Sequence, residues 1–382
     1  MTKLLFLVTE DWYFLSHRLP MARAAKKAGY DVHLATQVSN CRAKIEAEGV
    51  KVHQITLARS GLNVFKDLSS LWQLIQIYRT VRPDITHHVA IKPVIYGSIA
   101  ARLTGVSGSV NALAGLGYVF ANGSFKARIL RILVTFALAI TMRMKKSVTL
   151  LQNEDDANRV VNGRMARPSQ IKIIRGSGVD TKYYKFQHRA PTPNPTVALP
   201  ARLLKEKGVY DFVEAIRILH KDPNISAKFV LLGSPDEQNP SSIPVSLLNK
   251  WTEEGLIDKY GWVDDMASAL ANVDIVCLPS THGEGLPKSL LEAASCGIPI
   301  VTTDTPGCRD VVEDDKTGFL VPPCDPPALA SALNELINDP EQRAKKGHEG
   351  RKRVLHLFDE RIIQLQITEV YAELLVRSKS PS

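Results

Sequence analysis

Apolar residues in this chain fall into two alternating patterns. Short continuous runs of the length of a buried strand are followed by longer stretches in which apolar positions return every third or fourth residue. In the first half, the runs predict strands at 3–9, 31–36, 50–57, 84–88, 109–113, 147–151 and 171–174. The periodic stretches between them predict helices at 14–28, 42–48, 66–81, 93–103, 125–144 and 154–162. Gly29 and Pro83 punctuate the helices they follow. The second half repeats the scheme, with strands at 196–200, 229–233, 259–263, 274–278 and 298–302. Its helices are predicted at 208–220, from 265, from Leu286-Pro287 to about Ser295, from 309, and at 326–337. Residues 341–376 read as helical, with Phe358, Ile362 and Leu365 as the apolar face.

Strands that alternate with helices make parallel, doubly wound sheets. Ligands of such sheets bind at the carboxyl ends of the strands. Gln187 to Pro195 carries three prolines and reads as a linker between two such domains. The expected division is residues 1–183, residues 196–356, and a C-terminal helix at 357–382 that packs back on the first domain.

Charge adds an asymmetry. Residues 1–183 hold 26 Lys and Arg against 11 Asp and Glu, a net +15; residues 184–382 hold 22 against 28, a net −6. The first half is therefore expected to meet something anionic. Residues 132–142 carry no charge, which is short of the about 20 apolar residues a membrane span needs. Lys126, Arg128 and Arg131 flank one end, and Arg143, Lys145 and Lys146 the other. Such a helix can lie on an anionic leaflet, each basic residue contributing ~1 kcal/mol. It can equally be a core helix with basic ends. The anionic inner membrane surface is the expected partner, in preference to nucleic acid. The first apolar run stops at Glu10-Asp11, so no secretory leader is expected. Five scattered cysteines fit a reducing cytoplasm.

The chemistry concentrates in residues 274–292. A strand, a loop rich in Ser, Thr and Gly, and a helix follow one another there. The helix start offers free N–H groups and a partial positive charge to a phosphate. Glu284 and Glu292 frame it, and a carboxylate's natural partners beside a phosphate are hydroxyls. Together they point to a nucleotide-linked sugar. Alone, Glu284 would also fit a complement to the helix dipole, and Glu292 a solvated helix charge. After the strand at 196–200 stand Arg202 and Lys207, suited to a diphosphate. No Asp-x-Asp occurs, so metal-independent diphosphate binding is expected, with no cofactor.

The stretch Pro279-Ser…Glu284-Gly-Leu-Pro…Leu291-Glu292-Ala-Ala…Gly297-Ile-Pro-Ile resembles the signature of retaining glycosyltransferase family 4. The likeness continues through Asp304-Thr-Pro-Gly-Cys-Arg-Asp and Thr317-Gly-Phe-Leu-Val. It implies the GT-B fold: two Rossmann-like doubly wound domains facing a central cleft, the C-terminal helix crossing back to the first. It implies that Arg202, Lys207, Gly285, Leu286, Pro287 and Glu292 bind the donor, Glu292 through the ribose. Glu284 would bind the transferred sugar or stabilise positive charge on it, and anomeric configuration would be retained. His87 and His88, at a strand's carboxyl end, join Glu284 as candidate catalytic residues. His17, Arg18, Lys92, Gly115 and Gly117 are candidates for the acceptor side. Relatives often carry a glycine-rich turn after the first strand and a His-Gly near the fifth; this chain has no glycine before Gly29, and Ala114-Gly115 in the second place.

Gly-Leu-Gly-Tyr at 115–118, His-His…Lys-Pro at 87–93 and Glu-Gly-Leu-Pro-Lys at 284–288 look most like the bacterial branch acting on polyprenyl-diphosphate-linked glycans. A UDP-sugar donor, often an N-acetylhexosamine, is what that branch implies, with a lipid-linked glycan as acceptor. Two rivals stay open. A sugar-nucleotide epimerase of the same fold would need no acceptor. A non-enzymatic binder of anionic membranes would consume no nucleotide sugar, but would leave the second half's phosphate-site residues without a purpose.

Overall fold

The computed structural model describes residues 1–57, 64–113, 115, 125–236 and 239–379. The chain forms two units: Met1–Ser177 with Glu360–Ser382, and Gly178–Asp359.

The first unit is built on seven parallel strands: β1 (Lys3–Glu10), β2 (Asp31–Gln37), β3 (Lys51–Gln54), β4 (Ile85–Val89), β5 (Gly108–Ala112), β6 (Ser147–Leu151) and β7 (Ile171–Ile173). Their order is β3-β2-β1-β4-β5-β6-β7, so the winding reverses between β1 and β4. β1 is buried from Leu4 to Val8, as expected of a strand covered on both faces. Its alternate residues feed two cores. Leu4, Phe6 and Val8 pack with residues of the helices Leu19–Lys27 and Glu360–Lys379. Leu5 and Leu7 pack with those of the helices Val64–Val81 and Ile91–Thr104.

The second unit repeats this on six parallel strands: β8 (Thr196–Pro200), β9 (Lys228–Leu232), β10 (Asp258–Gly261), β11 (Ile275–Leu278), β12 (Ile300–Thr303) and β13 (Gly318–Val321). Their order, β10-β9-β8-β11-β12-β13, reverses between β8 and β11. Both sheets are therefore doubly wound, as the alternation of elements predicts.

Three expectations need correction. The helix expected at 14–28 is two helices, Asp11–His17 and Leu19–Lys27. Pro20 has no N–H to give the Ser16 carbonyl, so the ladder breaks and Arg18 leaves helical geometry at φ −125, ψ −15. The helical segment at 341–376 also splits, into Pro340–Leu357 and Glu360–Lys379. The Val179 N–H takes the Phe358 carbonyl at 2.9 Å, and the Thr181 hydroxyl donates to Asp359 at 2.5 Å. The break shifts the phase of the last helix. Its buried face is Ile363, Ile367, Val370, Tyr371 and Leu374; Leu365 is 61% exposed, and Phe358 belongs to the second unit's core. Finally, the prolines at 187–195 do not make a free linker. Arg189 donates to the carbonyls of Val273 (2.8 Å), Cys296 (3.0 Å) and Leu270 (3.1 Å), tying this segment into the second unit. The units therefore divide at Ser177 and Asp359 rather than at 183 and 356.

Gly97 marks the tightest helix-on-sheet approach at β4. A Cβ there would lie 2.4 Å from His88 Cδ2 and 2.8 Å from Leu7 Cδ2. Gly97→Ala is expected to cost about 1–3 kcal/mol by overpacking, read as a lower urea midpoint with an unchanged slope.

Candidate active site

The carboxyl ends of β8 and β11 meet where the second sheet reverses its winding. A 3-10 turn, Lys205–Lys207, follows β8 and ends on Gly208 in the left-handed region (φ 72). A Cβ on Gly208 would stand 1.8 Å from the Pro279 carbonyl, so only glycine lets this turn pass the end of β11. The Thr281 N–H donates to the Glu206 carbonyl at 3.0 Å and binds the two loops together. The result brings two expected residues into contact: Lys207 Nζ lies 2.5 Å from Glu284 Oε1. Ser280 donates to the same oxygen at 2.7 Å, and the Glu284 N–H donates to the Pro306 carbonyl at 2.8 Å. Burial would raise the Glu284 pKa. The Lys207 charge and hydrogen bond, the Ser280 hydroxyl and the Arg202 charge overcome it and hold the carboxyl below its ordinary value. Arg202 is near enough to act on Glu284 and is itself paired with Asp236 at 2.8 Å.

The helix Lys288–Ser295 starts one residue later than expected on its proline. Pro287 is the N-cap, not the first helical residue, and gives no side-chain cap. Gly285 and Leu286 lie in the loop between Glu284 and this helix start. Glu292 is buried in the helix. It accepts from the Tyr184 hydroxyl at 2.8 Å, with Lys288 Nζ at 3.5 Å. Burial pushes its pKa up, against the pull of Lys288 and Tyr184. Burial and the neighbouring Glu292 charge raise Tyr184 as well. Glu292 is thus a carboxyl held by a phenol, where the sequence predicted one open to ribose hydroxyls. Tyr184 and Asp236 were not legible as partners. Both lie in loops, and no spacing rule connects them to Glu292 or Arg202.

In the first unit the two histidines of β4 point to opposite faces, as neighbours on a strand must. His88 is buried, bonded to the Tyr78 hydroxyl (Nε2, 3.1 Å) and Asn111 Oδ1 (Nδ1, 2.8 Å). Burial pushes its pKa down to about 4. Both ring nitrogens are occupied and the ring has no exposed surface, so the expected catalytic role is corrected to a core contact. His87 is also buried. It stacks on Phe6 (4.9 Å between ring centroids), and its Nδ1 lies 2.6 Å from the Tyr371 hydroxyl. Burial, then the Arg18 charge, lower its pKa well below the usual histidine range, so it is a neutral ring and a poor base. Arg18 is buried beside it. His17 points elsewhere, stacked on Tyr13 at 4.3 Å with Nδ1 2.6 Å from the Ser16 hydroxyl. Lys92 pairs with Asp67 at 3.2 Å. Gly115 has φ 84, and Gly117 lies outside the described residues. Among the described residues no group of three or more His, Cys, Asp or Glu is placed to hold a metal ion.

Two doubly wound parallel sheets in one chain, the second with a lysine–glutamate pair at its switch point, define a GT-B architecture. Solved structures agree on the fold. HepE of Anabaena, in complex with UDP and glucose, superposes with a TM-score of 0.79 at 20% identity, over 98% of this chain and 100% of that one. Sucrose-phosphate synthase of Thermosynechococcus elongatus gives 0.79 at 17% identity, over 98% and 100%. The family models for "Glycosyl transferases group 1" and "Glycosyl transferase 4-like" match residues 180–353 and 3–144. The chain belongs to this glycosyltransferase family. The capsular polysaccharide biosynthesis glycosyltransferase CapM of Staphylococcus aureus is 26% identical over 99% of this chain and 98% of its own. The N,N'-diacetylbacillosaminyl-diphospho-undecaprenol alpha-1,3-N-acetylgalactosaminyltransferase of Campylobacter jejuni is 26% identical over 95% and 98%.

Lys207→Met would leave Glu284 partly buried without its cation. The expected loss is about 2 kcal/mol in unfolding free energy at neutral pH. Because the Glu284 pKa is depressed on folding, its stabilising contribution is present above the ordinary carboxylate range and lost as pH falls through the folded value. Wild type and Glu284→Gln should therefore differ in urea midpoint at neutral pH and converge in acid.

Proposed function

We propose that this protein transfers a sugar from a UDP-sugar, with retention of configuration, to a glycan carried on a polyprenyl diphosphate, in the assembly of a bacterial surface polysaccharide. The carrying observation is the Lys207–Glu284 contact at the carboxyl ends of β8 and β11, with Arg202 beside it. Each cation is paired with a carboxylate, Lys207 with Glu284 and Arg202 with Asp236. A diphosphate offers both cations stronger acceptors. Binding the donor would draw Lys207 and Arg202 onto phosphate oxygens and release Glu284 toward the sugar. The two cations and the start of the helix Lys288–Ser295 would then stabilise the charge that grows on the leaving diphosphate, without a metal ion. Glu284 would stabilise positive charge on the departing sugar. The leaving phosphate would take the acceptor's proton on the face it vacates. Glu292 would meet the ribose at the rim of its contact with Tyr184. The lipid-linked acceptor is supported by the Campylobacter relative's diphospho-undecaprenol substrate.

Acceptor-dependent release of nucleoside diphosphate is the test. Purified protein would be incubated with UDP-, GDP- and ADP-sugars, with and without a polyprenyl-diphosphate-linked monosaccharide. Release from one UDP-N-acetylhexosamine, dependent on acceptor and unchanged by chelator, is expected. Glu284→Ala should lower turnover by orders of magnitude while the protein stays folded. An isomerised donor formed without acceptor would point to an epimerase instead.

An acceptor in a bilayer calls for a surface that can lie on one. Among the described residues no helix is long and apolar enough to cross a membrane. The helix Phe125–Met142 buries Leu138 and Met142 and leaves Ile132, Leu133, Phe136 and Ile140 more than half exposed. Arg128, Arg143, Lys145 and Lys146 are exposed at its ends; the Lys126 side chain lies outside the described residues. This apolar stripe with basic ends supports reversible seating on the anionic inner leaflet. Phe136→Asp with Ile140→Asp should abolish sedimentation with anionic vesicles while leaving the melting temperature nearly unchanged.

A further inference from the structure

The switch point of the first sheet, between β1 and β4, holds a charge that the fold does not neutralise. Arg18 is 3% exposed. Among the described residues no carboxylate pairs with it. One terminal nitrogen rests on the Met21 sulfur at 3.8 Å, and Nε has no partner. His87 is buried beside it, and its Nε2 also has no partner. The other nitrogen of that ring faces the Tyr371 hydroxyl at 2.6 Å. A phenol that donates to Nδ1 leaves the neutral imidazole with its proton on Nε2. In that tautomer two N–H groups, one on a permanent cation, are buried with no acceptor; in the other, Nε2 is a bare acceptor. Folded proteins satisfy nearly all such donors, and a guanidinium without a counter-ion is among the costliest groups to bury. A donor-only pair of this kind refuses a metal ion and accepts an anion.

We infer that Arg18 and His87 bind a phosphate group of the acceptor's diphosphate, Tyr371 acting as the positioning residue that fixes the His87 tautomer. The assignment of that phosphate to the acceptor rests on the glycosyl-transfer reading; the phosphate site itself does not. The pair sits at the reversal of the winding: His87 is the middle residue of β4, opposite Phe6 of β1, and Arg18 follows the helix that β1 leads into. The site gives His87 a role as a hydrogen-bond donor in place of a base. It also separates Arg18 from His17, which the sequence had grouped together and which stacks on Tyr13 instead.

The experiment uses the full chain in a Lys207→Met background, which removes the main cation of the second unit. Geranyl diphosphate and inorganic diphosphate are titrated by calorimetry at matched ionic strength, and melting temperatures are recorded. Saturable binding of geranyl diphosphate is expected. Adding Arg18→Met should weaken it at least about tenfold and raise the melting temperature without ligand, because an unpaired buried charge is gone. Tyr371→Phe should weaken binding and keep the fold. Equal binding of inorganic diphosphate would support a site that reads phosphate alone; preference for geranyl diphosphate would support a lipid-linked source. Unchanged binding in Arg18→Met, or a lowered melting temperature in that variant without ligand, would overturn the inference. UDP binding is followed separately in Arg18→Met with Lys207 intact. Loss of acceptor-dependent turnover with UDP binding preserved falls on the first unit, whereas no UDP binding in wild type counts against the glycosyl-transfer reading and leaves the phosphate titration standing.

Discussion

An ammonium holding a carboxylate in its charged form is the contact on which the loops at the switch point of the second sheet converge. Lys207 and Glu284 lie far apart in sequence and meet because two loops are fastened at their bases. Gly208 passes the Pro279 carbonyl, Thr281 is tied to Glu206, and Glu284 is tied to Pro306. Both hydrogen bonds join main-chain groups. They fix the loops, and the loops fix the charge. The same logic runs through Arg202 and Asp236. The cations stand ready at the strand ends without the self-repulsion that bare positive charges would bring.

Much of this was readable in the residues. The strand–helix alternation gave both sheets, because buried parallel strands are short apolar runs and their covering helices are periodic. Arg202, Lys207 and Glu284 are readable as neighbours for a different reason: each lies in the segment beyond a strand's carboxyl end, and β8 and β11 are adjacent. The strand Gly318–Val321 and the helix Val245–Glu253 were not assigned. The strand opens on a glycine, and its apolar run, Phe319-Leu320-Val321, falls short of the roughly four to eight residues that mark a buried strand. The errors were of phase and of depth. Leu365 and Ile362 were chosen for the buried face because nothing in the sequence announces the break at Phe358, which a backbone bond to Val179 makes. His88 sits where functional residues sit, but its partners Tyr78 and Asn111 come from other elements; the contact of Glu292 with Tyr184 is equally unannounced. Burial of a polar side chain is a tertiary property, and no local pattern encodes it.

The two histidines of β4 show how little separates structure from function. They share a strand, are both buried and are both neutral. One has each nitrogen satisfied and locks the helix Ile91–Thr104 against the sheet through Gly97. The other keeps one nitrogen unspent beside an unpaired arginine. Alternation along the strand assigns them these fates, since one face meets the helix that carries Gly97 and the other meets the helix that carries Tyr371.

That last helix has a consequence for how the chain is made. The first unit owns residues at both ends of the sequence, and its core is closed by Ile363, Ile367, Val370, Tyr371 and Leu374. During synthesis the amino-terminal sheet leaves the ribosome with one face covered only in part, by the helix Leu19–Lys27, and the whole second unit can be translated and folded before the rest of the cover arrives. The half that is made first is completed last, and its closing contacts carry the longest loop closure in the molecule. A ribosome that stops short of Glu360 would release a well-formed second unit beside an apolar sheet face open to chaperones and to aggregation.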